Sequence, residues 1–231
     1  MTLEQFDAIY ARAAERKGGS PALESLLNAP LSSSDLLRFG DDRYLSALTK
    51  KVFQSGFVWR VVEQKWHDFE TIFFEFDIEK MLLLPDEMFE QKATDKRIIR
   101  NLKKVMTIRD NALMIKDAQS QHGSFAAFIA NWPSDNIIGL WEYLKKYGSR
   151  LGGNTGPYAL RALGKDTFLL SRDVESYFRA HDLISGSVSS KRSLTAIQTA
   201  FNTWQQQSGR SMQELSQILA MSVGDNNIQA L

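Results

Sequence analysis

The sequence predicts an all-α fold built from many short helices. Three observations predict it. Apolar residues recur at three- and four-residue spacing through most of the 231 residues. Gly/Pro-rich turns are few, and most punctuate these stripes rather than interrupt them. The one stretch of alternating polarity, FETIFFEF (69–76), is bracketed by helical patterns and has no partner strand, so it reads as a buried helix.

The elements follow in order. Leu3, Phe6, Ile9, Tyr10 and Ala13 form a first stripe, ended by Gly18 and Gly19. Ser20 and Pro21 are an N-cap and first-turn pair. Asp41 or Asp42 caps a helix through Tyr44, Leu45, Leu48, Val52 and Phe53. Gly56 interrupts it, and Val58, Val61 and Val62 resume a second. Short helices are expected over 78–84 and 86–91, and a mostly helical stretch over 96–119. Ser124 caps SFAAFIANW, Pro133 ends it, and Asp135 opens NIIGLWEYLKKYG. Helices at 155–163 and 172–181 follow a glycine turn. The polar loop SGSVSSKRS leads to C-terminal helices at 194–207 and 211–223, after which the chain is expected to fray.

Composition bounds the function classes. At 43% hydrophobic residues the chain can bury a sizeable core, so wholesale disorder is excluded. A net charge of +1 means that any nucleic-acid surface must come from local clustering of cations. No cysteine is present, which removes disulfides, thiolate zinc sites, iron–sulfur clusters and thiol catalysis, and fits a reducing cytoplasm. His67, His122 and His181 lack metal-ligand spacing, so neither metal nor cofactor is expected. The charged N-terminal helix has no apolar signal-peptide region, and the run at 81–84 is too short to span a bilayer. A cytoplasmic protein without a membrane partner is the expectation.

The most informative segment is LKKYGSRLGGNTGPYALRALGKDTFLLSRDVESYFR (144–179). Gly148, Gly152 and Gly153 lie among Lys145, Lys146, Arg150 and Lys165. Glycine permits positive φ and close approach of a phosphate to the backbone. Thr155 starts the next helix, whose N–H groups and dipole favour an anion. Such contacts hold a nucleic-acid backbone without reading sequence. A plain turn between helices, with glycine caps and solvated lysines, has the same composition. Eighteen residues after Thr155 stands Asp173. Ser171 is the more natural N-cap, which leaves Asp173 surplus to capping. Its alternative role is to stabilise the helix dipole, by about 0.3–1 kcal/mol.

The segment LGGNTGPYALRALGKDTFLLSRDVESYFR resembles the hairpin-plus-aspartate module of the helix-hairpin-helix DNA glycosylase superfamily. Upstream, FQSGFVW (53–59), FEFDIEKM (74–81), RIIRNLKKV (97–105), LKKYG (144–148) and GNTGPY (153–158) are similar to the type I 3-methyladenine DNA glycosylases. The resemblance covers roughly residues 42–180. It implies a two-lobed helical fold with a DNA cleft between the lobes. A glycosylase core would span 41–183, with an N-terminal helical extension (1–40) and C-terminal helices (184–231) packing on it. It implies a monomeric, cofactor-free DNA N-glycosylase of base-excision repair. The partner would be double-stranded DNA holding a damaged base, an alkylated purine by family.

The resemblance also implies residue roles. Phe57, after Gly56, stands where the family places its wedge, which fills the gap left by an extruded nucleotide. A core position is the alternative for Phe57. Gln54 and Trp59 fall on the base-pocket side, where Trp59 would stack on an electron-poor base; a buried core tryptophan is its alternative. Lys146, Arg150, Gly152, Gly153, Asn154 and Thr155 would hold DNA phosphates. Arg97, Arg100, Lys103 and Lys104 read by default as a solvated face. Asp173 would stabilise positive charge developing on the sugar and orient water.

Four departures from the type I pattern stand out. Lys51 replaces a pocket glutamate and should repel a cationic purine. The cysteine/histidine zinc staple is absent, and the longer terminal helices are expected to replace it. Asp173 is present where type I enzymes lack the superfamily aspartate. Arg150 occupies a hairpin position that is usually glycine. Asn154 stands where bifunctional members carry the Schiff-base lysine, so base release without strand cleavage is expected. The rival readings are a non-catalytic helix-hairpin-helix protein recognising distorted or abasic DNA, and a helical scaffold. The scaffold would expose Leu194, Ile197, Phe201 and Trp204, a stripe more simply read as core.

Overall fold

A computed structural model of the chain describes residues 3–223, and every regular element among them is helical. In order these are α1 (Phe6–Lys17), α2 (Ser20–Glu24), α3 (Ser33–Leu36), α4 (Asp41–Gln54), α5 (Trp59–Gln64), α6 (Trp66–Ile72), α7 (Ile78–Leu83) and α8 (Asp86–Lys92). Then come α9 (Leu102–Val105), α10 (Thr107–His122), α11 (Phe125–Asn131), α12 (Ile137–Tyr147), α13 (Thr155–Ala162), α14 (Arg172–Ala180), α15 (Lys191–Ser208) and α16 (Met212–Met221). The all-α expectation is met. The expectation that the C-terminal residues fray falls outside the described residues. None of the described helices is long and apolar enough to cross a membrane.

Contacts divide the chain into two units. The first holds α1, α2, α14, α15 and α16. Its core is aromatic: Phe168 stacks on Phe201 at 4.3 Å between ring centres, and Phe178, Tyr177 and Trp204 close around them. Ile197, Phe201 and Trp204 are buried here, so the stripe that a scaffold would expose is core. The Trp204 indole N–H donates to the Glu4 carbonyl (2.9 Å), and the Phe6 N–H donates to Gln207 Oε1 (2.8 Å). These bonds and the packing of α1 on α16 join the two terminal segments. A cysteine/histidine zinc staple does not fit this chain, which has no thiolate to offer. Ser211 and Glu214 form a capping box on α16, and the Asp166 carboxylate accepts from the Gln213 N–H (2.9 Å) at the same end.

The second unit holds α3 to α11, α13 and all but the first two residues of α12. Helix α4 carries its core through Tyr44, Leu45, Leu48, Val52 and Phe53, all buried. Phe53 packs edge-on against Phe69 (4.6 Å), Trp66 stacks on Phe76, and Phe73 stacks on Phe89.

Three local expectations are corrected. FETIFFEF is not one helix: α6 stops at Ile72, and Phe74, Glu75 and Phe76 adopt φ of 51°, 55° and 60°. This left-handed turn buries both Phe73 and Phe76 while Phe74 faces outward. Arg43 clamps it, donating to the Glu75 carbonyl and to both oxygens of Glu70 (3.1 and 3.0 Å). Asp41 does not cap its own helix. Its carboxylate accepts from the N–H groups of Phe125 (2.8 Å) and Ala126 (2.9 Å), so it serves α11, and Gly40 is the N-cap of α4. Gly19, not Ser20, is the N-cap of α2. The stretch over 96–119 is mostly helical, as expected, with its helices starting at Leu102 and breaking at Met106.

Candidate base pocket and hairpin

Helix α4 ends where Ser55 turns extended and Gly56 takes φ 88°. The last carbonyls of a helix lack intrahelical partners. Here Lys104 supplies them: its ammonium donates to the carbonyls of Val52 (2.8 Å), Phe53 (3.2 Å) and Ser55. A cation at this end also complements the helix dipole. Lys104 is therefore buried, not part of a solvated face. Burial, and then the nearby Arg150 cation, lower its pKa.

The turn so held carries Phe57 and delivers Trp59 to the start of α5. Phe57 is 37% exposed and Trp59 is 45% exposed, which removes the core alternative for both. Trp59 lies against a cleft of about 280 Å³ lined by Lys51, Gln54, Ser55, Asn154, Thr155 and Tyr158. That is near the lower end of small-molecule pockets, about 300–1,000 Å³. The structure thus brings Lys51, Gln54 and Trp59 together with the hairpin residues Asn154 and Thr155. Sequence reasoning missed Ser55 and Tyr158. The signal for Tyr158 was its spacing: one helical turn after Asn154, it shares that residue's face of α13.

Two aromatic walls and two polar groups define the cleft. The Trp59 and Tyr158 rings meet edge-to-face at 6.2 Å. The Lys51 ammonium sits 4.5 Å from the Trp59 ring centre, a cation–π contact. It makes no hydrogen bond or ion pair among the described residues. Burial lowers the Lys51 pKa, opposed in part by Glu63. The amide of Gln54 donates to Glu63 Oε1 (2.8 Å), and Glu63 Oε2 accepts from Lys50 (3.1 Å). Gln54 Oε1 is left buried without a partner among the described residues.

The hairpin joins α12 to α13. Gly148 and Gly156 are dictated by packing. A Cβ on Gly148 would lie 2.7 Å from the Leu144 carbonyl, and one on Gly156 would lie 2.6 Å from the Leu151 carbonyl. Gly153 differs: it takes φ 61°, and a Cβ there would meet nothing within 4 Å, so its backbone faces open space. Arg150 takes φ 59°, which gives the physical reason that glycine is usual at its position. Asn111 braces the turn from α10, accepting from the Ser149 N–H (2.7 Å) and donating to its carbonyl (3.2 Å). The N–H groups of Gly152, Gly153 and Asn154 make no hydrogen bond among the described residues. Lys146 is exposed beside them, whereas Lys165 is buried and donates to the carbonyls of Ala130 (3.3 Å) and Trp132. Lys165 is therefore removed from the cations flanking the hairpin.

Asp173 belongs to the first unit. Ser171 is the N-cap of α14, accepting from the Val174 N–H (3.3 Å), so Asp173 is surplus to side-chain capping. Its half-buried carboxylate has no hydrogen bond or ion pair among the described residues.

The sequence profile of the methyladenine glycosylase family matches residues 37–152, from the approach to α4 into the hairpin. The chain belongs to the methyladenine glycosylase family. It is a DNA N-glycosylase of base-excision repair. The family match ends before Thr155 and Asp173. The 8-oxoguanine DNA glycosylase of Methanocaldococcus jannaschii is similar over 91% of each chain, with 16% identity and a TM-score of 0.55. That likeness shows the fold, and it extends to the terminal helices that the family match leaves out. The 3-methyladenine DNA glycosylase I of Staphylococcus aureus is similar over 55% of this chain and 77% of its own (21% identity, TM-score 0.49). A single-site variant of 3-methyladenine DNA glycosylase I in complex with 3-methyladenine is similar over 53% and 76% (22% identity, TM-score 0.48). No curated protein matches the chain.

Proposed function

We propose that this glycosylase is monofunctional: it flips a damaged base into the cleft lined by Trp59 and Tyr158, hydrolyses the N-glycosidic bond and leaves an abasic site. One observation carries the proposal. An aromatic-walled cleft, lined by a cation and a buried acceptor that are unpaired among the described residues, adjoins a hairpin turn in which the N–H groups of Gly152, Gly153 and Asn154 are free among those residues. Free N–H groups in the turn that leads into a helix suit a DNA phosphate. The exposed Phe57 is free to fill the stack as the nucleotide leaves, which offsets an extrusion cost of a few kcal/mol.

The chemistry is displacement at the sugar. As the C1′–N bond breaks, positive charge builds on C1′, water adds there and releases a proton to solvent, and the base departs with the bonding pair, neutral if it was a cationic alkylated purine. Asp173, an unpaired carboxylate, is assigned to stabilise that charge and to orient the water. Asn154 has no amine able to attack C1′, so no Schiff base forms at that position.

The test is chromatography of free bases released from methylated duplex DNA, with strand breaks scored before and after hot alkali. Free base together with alkali-dependent breaks is expected. Salt-sensitive binding without base loss from any substrate would instead favour a non-catalytic protein of distorted or abasic DNA.

A further inference from the structure

The donor and acceptor left over in the cleft are complementary to one kind of base edge. Lys51 and Gln54 stand three residues apart on α4 and therefore on one face. Both line the cleft. An ammonium is donor only. That of Lys51 has no hydrogen-bond partner among the described residues and rests on Trp59. The orientation of the Gln54 amide is set by its neighbour: Glu63 presents carboxylate oxygens, so the NH₂ must face Glu63. The carbonyl oxygen is then the orphan, on a side chain only 4% exposed. This oxygen is closed to solvent, so an entering base reaches it as the side chain shifts; a buried acceptor without a donor is costly, and a ligand N–H would satisfy it.

We infer that Lys51 and Gln54 make the cleft select purines that carry a carbonyl beside a ring N–H over purines that carry an amino group there. The inference rests on the base-excision reading above. The O6/N1–H edge of guanine-type bases and of hypoxanthine gives Lys51 an acceptor and Gln54 a donor. The adenine edge is reversed: its amino group opposes the ammonium, and its N1 opposes the carbonyl. A site built to hydrogen-bond one pattern rejects the other strongly, because its own buried groups are left unpaired. Trp59 and Tyr158 offer apolar contact to either base and do not discriminate. Undamaged guanine shares the favoured edge, but extrusion is cheapest for a damaged or mispaired base.

Methylated duplex DNA contains 7-methylguanine, with the carbonyl edge, and 3-methyladenine, with the amino edge. Both are cationic, so base charge cancels in their ratio. A second duplex carries hypoxanthine opposite thymine. Rates are expressed as acceleration over spontaneous loss. For 7-methylguanine and hypoxanthine the acceleration is expected to exceed that for 3-methyladenine by about tenfold or more, the loss of one good hydrogen bond. Lys51→Glu replaces the donor by an acceptor and should reverse the order; Lys51→Gln, read by the same ratio, serves if the glutamate variant does not fold. Gln54→Met should slow release of the carbonyl bases about tenfold while binding of abasic DNA stays unchanged. Equal or faster release of 3-methyladenine, with the order unmoved by Lys51 substitution, overturns the inference and leaves base excision standing. Release of no base from any duplex overturns the base-excision reading and this inference with it.

Discussion

The ammonium of Lys104 lies 4.6 Å from the centre of the Phe57 ring, while its N–H bonds run to the carbonyls that end α4. One side chain thus closes the helix that carries Lys51 and Gln54 and supports the ring that faces outward beyond it. The turn is stiffened from within, and the exposed Phe57 needs no core contact to hold its place.

Lys104→Met keeps the volume but removes the donors from Val52, Phe53 and Ser55. The expected loss is about 2–3 kcal/mol, a fall in Tm of roughly 5–10 °C. Calorimetry checks it; an unchanged Tm would show that water replaces the ammonium at no cost.

Phe57→Ala should cost little stability, since the ring is partly exposed. Base release from duplex DNA should fall about tenfold or more, with release from the same lesion in single strands nearly unchanged. Equal losses on both substrates would rule out a wedge.

Lys51 gives a pH prediction. Burial lowers its pKa in the folded state, so between that value and the ordinary lysine value the unfolded chain binds more protons. Stability therefore rises with pH through this window, and at neutral pH the buried charge is a cost. Lys51→Met is expected to raise Tm at pH 7 by about 1–2 °C, with the gain shrinking as pH approaches the ordinary lysine range. A gain that grew with pH would have the wrong sign.

Asp173→Asn retains the shape of the first turn of α14 and should cost under about 1 kcal/mol in helix-dipole stabilisation. Single-turnover base release should nevertheless fall by at least about 100-fold, with binding to lesion DNA preserved, because charge stabilisation at C1′ is lost. Equal rates for variant and parent would end the assignment.

On the proposed monofunctional reading, borohydride reduction during turnover should trap no protein–DNA adduct, since Asn154 carries no amine. Asn154→Lys should not be neutral: it adds a second amine to a cleft already lined by Lys51. A trapped adduct in the parent protein would overturn monofunctional release and point to Lys51 as the amine.

Much of the fold was legible because its determinants are local. Three- and four-residue periodicity depends only on neighbours along the chain, and the stripes at α1, α4, α10, α12 and α15 are where the periodicity puts them. The hairpin was legible for a similar reason. Gly153 in open space at positive φ and Thr155 at the start of α13 are backbone requirements of a few consecutive residues. The left-handed turn at Phe74–Phe76 was not, because what decides it is burial of Phe73 and Phe76 and a clamp from Arg43, about thirty residues away in sequence.

By itself the sequence determined the all-helical class, the family, Lys51, Gln54 and Trp59 as candidate pocket residues, and Asn154 as a candidate DNA contact. Only the tertiary structure decided which of their polar atoms are already spent. Asp41 is used on α11, Lys104 on the end of α4, and the Gln54 NH₂ on Glu63, whereas the Gln54 carbonyl and the Lys51 ammonium are left over. Hydrogen-bond satisfaction is a property of groups far apart in sequence that burial brings within about 3 Å of each other, so no local pattern carries it.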